Sequence, residues 1–139
     1  MFDHILLAID GSDHSLKAAK VAGNLARLSG GTLHVITAYD ELPGYLGEPN
    51  LSKAIAERTQ SAEKILAAAL EEVGEVSGEC ESEYLEGSPA ETILRDANTH
   101  NADLIIMGTR GRGEMRSLLL GSQSHKVLSE ANCPVMLVR

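Results

Sequence analysis

The sequence predicts a doubly wound α/β fold: a five-stranded parallel sheet in one three-layer domain, flanked by four helices. Three observations carry this. Short apolar runs alternate with helical stripes from one end of the chain to the other. Two of the runs, His4 to Ile9 and Ala102 to Met107, are apolar at their centres, as strands buried on both faces are. Gly, Ser, Asp or Pro follow most runs, where the chain must turn into a helix.

Each element has its own local reason. His4-Ile5-Leu6-Leu7-Ala8-Ile9 reads as a buried strand, closed by Asp10-Gly11-Ser12. Ser12 or Asp13 can cap the next helix, because a side-chain oxygen accepts from the amides of a first turn. Ala18, Val21, Ala22, Leu25 and Leu28 make a helical stripe that Gly30-Gly31 ends. Thr32 to Ala38 is a second strand, followed by a loop from Tyr39 to Asn50 broken by Pro43, Gly44, Gly47 and Pro49. Leu51, Ala54, Ile55, Ala62, Ile65, Leu66, Ala69, Leu70 and Val73 mark a long amphipathic helix. Cys80 to Leu85 is a third strand whose glutamates place it at a sheet edge or against solvent. Ser88-Pro89-Ala90-Glu91 is spaced as a capping box with Pro in the first helical position, and Ile93, Leu94 and Ala97 then face the core. Ala102 to Met107 is the fourth strand. A glycine-rich stretch leads to a helix from about Ser122 to Ala131, and Pro134 to Val138 is the last strand. The first and fourth strands, the most apolar, belong at the centre of the sheet.

Length and composition bound the function. The 139 residues fit a single domain, 1–139, and 43% hydrophobic residues fill its core. The formal charge is −8, with no Trp and one Phe, which excludes a general nucleic-acid binder and a base-stacking platform. No apolar run reaches the ~18 residues of a membrane span, and the start shows no secretory pattern, so a cytoplasmic location is expected. Cys80 and Cys133 stand in no metal or redox spacing and are expected as buried small apolar groups.

Ligands of open α/β sheets bind beyond the carboxyl ends of the strands. The residues there are Asp10-Gly11-Ser12, the Pro/Gly loop, Glu86-Gly87-Ser88, and Gly108-Thr109-Arg110-Gly111-Arg112-Gly113. In the last stretch, glycines let backbone amides approach a ligand, and Gly121-Ser122 opens a helix whose free amides and positive dipole end suit phosphate. Residues 108–126 carry four basic side chains and one acid, against a surplus of acids elsewhere. A cationic, glycine-rich segment in an acidic chain points to an anionic ligand. It is not a Walker loop, because Glu114-Met115 follows Gly113 where Lys-Ser/Thr is needed, and the dinucleotide fingerprint is missing after the first strand.

Gly108-x2-Gly111-x9-Gly121-Ser122 resembles the nucleotide-binding signature of the universal stress protein family. The likeness runs the length of the chain: Ile5-Leu6-Leu7-Ala8-Ile9-Asp10-Gly11-Ser12, Leu33-His34-Val35-Ile36, Gly87-Ser88-Pro89-Ala90, Asp103 to Gly108 and Cys133-Pro134-Val135 resemble its other conserved stretches. At Ala8 the family more often carries Val or Pro. The resemblance implies a strand order of 3-2-1-4-5, a homodimer through the last strand, and the branch that binds ATP, with AMP or ADP as related ligands and Mg or Mn held through the phosphates. It implies that Ala8 lies in the ligand site, that Asp10 accepts from adenine or ribose, and that Val35, taken as the end of the second strand, supplies backbone contacts to the adenine edge and apolar packing. Met107 and Gly108 would floor the ribose. Gly111, Gly121, Ser122, Gln123 and Ser124 would cradle the phosphates, with Arg110 or Arg112 reaching them.

Competing readings have specific failings. A receiver domain needs paired acids after the first strand, an Asp after the third and a Lys near the fifth, and none of these is met. Flavodoxin chemistry lacks its aromatic rim. The histidines (His4, His14, His34, His100, His125) show no ligand spacing with one another, with cysteine or with clustered acids, so no protein metal site is expected. Of them, only His125 lies near the phosphate-binding helix. Ser122 and Ser124 are expected to cap a helix and bond phosphate rather than accept a phosphoryl group. The expected function is an ATP-dependent stress-response or signalling module with unidentified protein partners. A slow ATPase or autophosphorylating phosphotransferase, and a nucleotide-independent dimeric scaffold, are the alternatives.

Overall fold

The computed structural model describes residues 1–110 and 120–139. In chain order it contains β1 (His4–Ala8), α1 (Asp13–Ser29), β2 (Thr32–Tyr39), a 3-10 turn at Gly44–Leu46, α2 (Asn50–Val73), β3 (Cys80–Glu86), α3 (Pro89–Thr99), β4 (Leu104–Gly108), α4 (Ser122–Glu130) and β5 (Val135–Val138). The strands form one sheet in the order β3-β2-β1-β4-β5, and every neighbouring pair is parallel. The order reverses at β1. Its carboxyl end, beside that of β4, is therefore the switch point at which an open α/β sheet forms a crevice.

The pleat sends alternate side chains to opposite faces. Ile5, Leu7, Leu33, Val35, Leu104 and Ile106 pack beneath α1 and α2. Leu6, Ala8, Ile36, Ile105 and Met107 pack beneath α3 and α4. Ala18, Ala19, Ala22 and Ala26 are fully buried, and these small side chains form the face that α1 lays against the sheet. This stripe is rotated from the one expected from leucine spacing: Leu28 is 84% exposed, at the last turn before Gly30 closes the helix in the left-handed conformation.

Two other local expectations are corrected. Ser88 occupies the N-cap of α3 but makes no side-chain capping bond. The Ala90 N–H is instead satisfied by Gln123 Oε1 of α4 at 2.9 Å. The cysteines are not buried: Cys80 is exposed on the edge strand β3, and Cys133 is half-buried. Their positions on an edge strand and before a short terminal strand leave little structure to cover them.

Candidate functional site

A cavity of about 210 Å³ opens at the carboxyl ends of β1 and β4. This is several times the ~30 Å³ share of one water. Its apolar wall comes from Ala8, Ile36, Ala38 and Met107, and its polar rim from Asp10, Arg110, Gln123 and Ser124.

The rim is held by short-range bonds. Asp10 Oδ1 accepts from the Ser12 N–H at 2.9 Å, which fixes the turn leaving β1. Ser12 then caps α1, its hydroxyl accepting from the Ser15 N–H. His14, in the first turn of α1, meets the β4 exit: its Nδ1 is 2.7 Å from Thr109 Oγ1 and its Nε2 is 3.2 Å from the Arg110 guanidinium. Arginine only donates, so Nε2 accepts and Nδ1 carries the proton. Gly108 is required here by packing. A Cβ on it would stand 2.8 Å from the His14 Cβ, so the glycine lets α1 close on β4.

α4 enters from the other side. Its N-cap is Gly121, which offers no side-chain acceptor to the first-turn amides. Gly121 has φ −69° and ψ 159°, a conformation open to any residue, so backbone geometry does not account for the glycine. Ser124 is buried and donates its hydroxyl to the Gly108 carbonyl at 2.8 Å. The first turn of α4 is thereby bound to the end of β4.

Of the residues expected in a site, Ala8, Asp10, Met107, Gly108, Arg110, Gly121, Gln123 and Ser124 all line this cavity. Ser122 sits beside them as the first residue of α4 and faces solvent. Gly111 and Arg112 lie outside the described residues. Val35 is mid-strand rather than at the strand end, and its side chain is fully buried on the α1/α2 face, so the apolar packing expected of it falls to other residues. β2 runs on to Tyr39, and Ile36 and Ala38, of the opposite parity, line the cavity in its place. The side chains of Gln123 and Ser124 are committed to Ala90 and Gly108, which leaves their backbone amides as what α4 can present to a ligand.

The surroundings of the two thiols disfavour the thiolate. Desolvation raises both Cys80 and Cys133 above the usual thiol range, and Asp103 adds to the rise at Cys133.

Spacing also missed a second cluster. Asp96 and His100 stand four residues apart on α3, and His34 of β2 reaches them across the sheet face. The i, i+4 pair is visible in sequence, but the third member requires the fold.

A parallel sheet of this order, with a cavity at its β1/β4 switch point, defines the chain as a doubly wound α/β protein. More narrowly, the sequence model of the universal stress protein family matches residues 1–139, and the chain belongs to that family. A universal stress protein of Thermus aquaticus is 52% identical over 139 residues, covering 100% of both chains. The structure of the universal stress protein UspA from Lactobacillus plantarum superposes with a TM-score of 0.87 at 26% identity, covering 99% of this chain and 98% of that one. A universal stress protein in complex with cAMP superposes with a TM-score of 0.77 at 26% identity, covering 99% and 97% respectively.

Proposed function

We propose that this chain is an ATP-binding universal stress protein that works in the cytoplasm as a nucleotide-dependent signalling module. The observation that carries the reading is the pairing, in one cavity, of an apolar wall with the first turn of α4. Ala8, Ile36, Ala38 and Met107 suit the faces of a purine and ribose. The first-turn amides of α4, opened by a glycine without a side-chain cap, suit phosphate. The cAMP complex of a related structure supports an adenine nucleotide as the ligand class.

In this reading Asp10, already oriented by Ser12, accepts from the ribose or base, and Met107 and Gly108 floor the sugar. Ser122, Gln123 and Ser124 offer backbone amides to the phosphates, Gly121, whose own N–H is donated to the Thr109 carbonyl, leaves them open to approach, and Arg110 adds charge from the β4 exit. Mg or Mn would be held through phosphate oxygens and would screen their charge. Nucleotide occupancy changes the surface that partners meet, through the stretches that leave β2 and β4 on this rim. A ligand biases such a change only by its differential affinity for the two states. β5 ends the sheet with an unpaired side among the described residues, and its half-buried residues offer an edge to a second copy.

The test is purification without added nucleotide, then acid extraction and mass spectrometry. Stoichiometric ATP supports a sensor with little turnover. AMP or ADP, with contaminating ATPases excluded, favours slow hydrolysis. Empty protein that also fails to take up added ATP favours the scaffold.

A further inference from the structure

At the opposite pole of the sheet, β2, β3 and α3 converge on a second group of polar side chains. His34 Nε2 lies 3.2 Å from Glu83 Oε2 and 3.3 Å from Asp96 Oδ2, and His34 Nδ1 lies 3.9 Å from Glu81 Oε2. His100 Nδ1 lies 3.3 Å from Asp96 Oδ1 and 3.1 Å from the Asp96 carbonyl oxygen. The two imidazoles stack with centroids 4.4 Å apart.

This group is both enclosed and unsatisfied. The Asp96 side chain is 9% exposed and that of His34 is 13% exposed. Yet Asp96 Oδ2 and both ring nitrogens of His34 are buried without a hydrogen bond of acceptable geometry. Protons do not resolve this. A single Nε2–H shared between the Glu83 and Asp96 carboxylates satisfies neither fully. Buried groups left in this state are costly.

A cation does resolve it, because it takes a lone pair from each donor at the same point. In a tetrahedral centre with bonds of ~2.0 Å, donor atoms stand ~3.3 Å apart. The separations of His34 Nε2 from Glu83 and Asp96 have that length. His34, Asp96 and His100 each place a donor atom within 4.8 Å of the others. We infer that His34, Asp96 and His100, with Glu83, form a binding site for a divalent transition metal of the zinc class. Two imidazoles beside carboxylates select zinc, cobalt or nickel over magnesium, which prefers oxygen and keeps its waters. A bound ion would join β2 and the exposed edge strand β3 to the last turn of α3.

The experiment uses the full chain stripped of metal by chelation and of nucleotide. Co2+ serves as the spectroscopic probe and Zn2+ as the calorimetric and thermal one. The expected result is uptake of about one equivalent, visible-band absorption of nitrogen/oxygen-coordinated Co2+, and a Zn2+-dependent rise in Tm that Mg2+ does not reproduce. Asp96→Asn and His34→Gln should each weaken Zn2+ binding at least tenfold. His100→Gln removes a more exposed ligand and keeps the test decisive if the buried variants fail to fold; the same loss is expected. Uptake of many weak equivalents, affinity unchanged in His100→Gln, or binding abolished by Gly121→Val at the other pole would each overturn the site.

Discussion

Ser124 and Gly108 are joined by a hydrogen bond of 2.8 Å from a buried hydroxyl to a strand-end carbonyl. This bond sets the first turn of α4 against the rim of β4, which is the geometry on which the proposed phosphate binding rests. Ser124→Ala removes the donor and leaves a buried carbonyl short of a partner. Loss of about 1–3 kcal/mol of stability is expected by denaturant titration. ATP affinity should fall as well, because the first turn of α4 loses its anchor. A buried, committed hydroxyl is also a poor phosphoacceptor, so any autophosphorylation should map elsewhere.

Gln123→Ala should uncap a helix to which Gln123 does not belong. Its Oε1 serves the Ala90 N–H at the start of α3, where Ser88 makes no side-chain bond. The expected cost is about 1 kcal/mol, the usual value of a cap. Ser88→Ala should cost less. Comparing the two by chemical unfolding checks which residue caps α3.

Asp10→Ala should separate nucleoside recognition from phosphate recognition. ATP affinity is expected to fall about tenfold, while inorganic tripolyphosphate binding changes less than twofold, both by calorimetry; a single charge-assisted hydrogen bond is worth that much. Because Asp10 also accepts from the Ser12 N–H, Asp10→Asn serves as the control that keeps an acceptor for the turn. Equal losses for ATP and tripolyphosphate would place Asp10 at the phosphates instead.

The strands were legible because buried parallel strands leave apolar runs, and their exits were legible because glycine and aspartate stand there. The sensitive points were those where a neighbour decides. Alanine carries little hydrophobic signal, so the stripe expected for α1 holds the buried Ala18 and Ala22 but omits Ala19 and Ala26 and includes the exposed Leu28. A strand reverses its face at each residue, so the side chain of Val35 packs under α1 and α2 while that of Ile36, one position on, packs on the face of the cavity. The Ser88 box satisfied every local rule, yet Gln123, distant in sequence, takes the amide. The His34 cluster needed β2 and α3 to be brought together, and no spacing rule spans that interval.

The most direct test of the central claim is calorimetric titration of ATP into nucleotide-stripped wild-type protein and into Gly121→Val. The backbone at residue 121 suits any residue, and because the position is buried the fold of the variant is checked by its Tm before titration. The account predicts saturable binding of one ATP per chain in the wild type and at least a tenfold loss in the variant, because a branched side chain stands where phosphate approaches α4. Equal affinity in the two folded proteins, or no binding by the wild type, would contradict it.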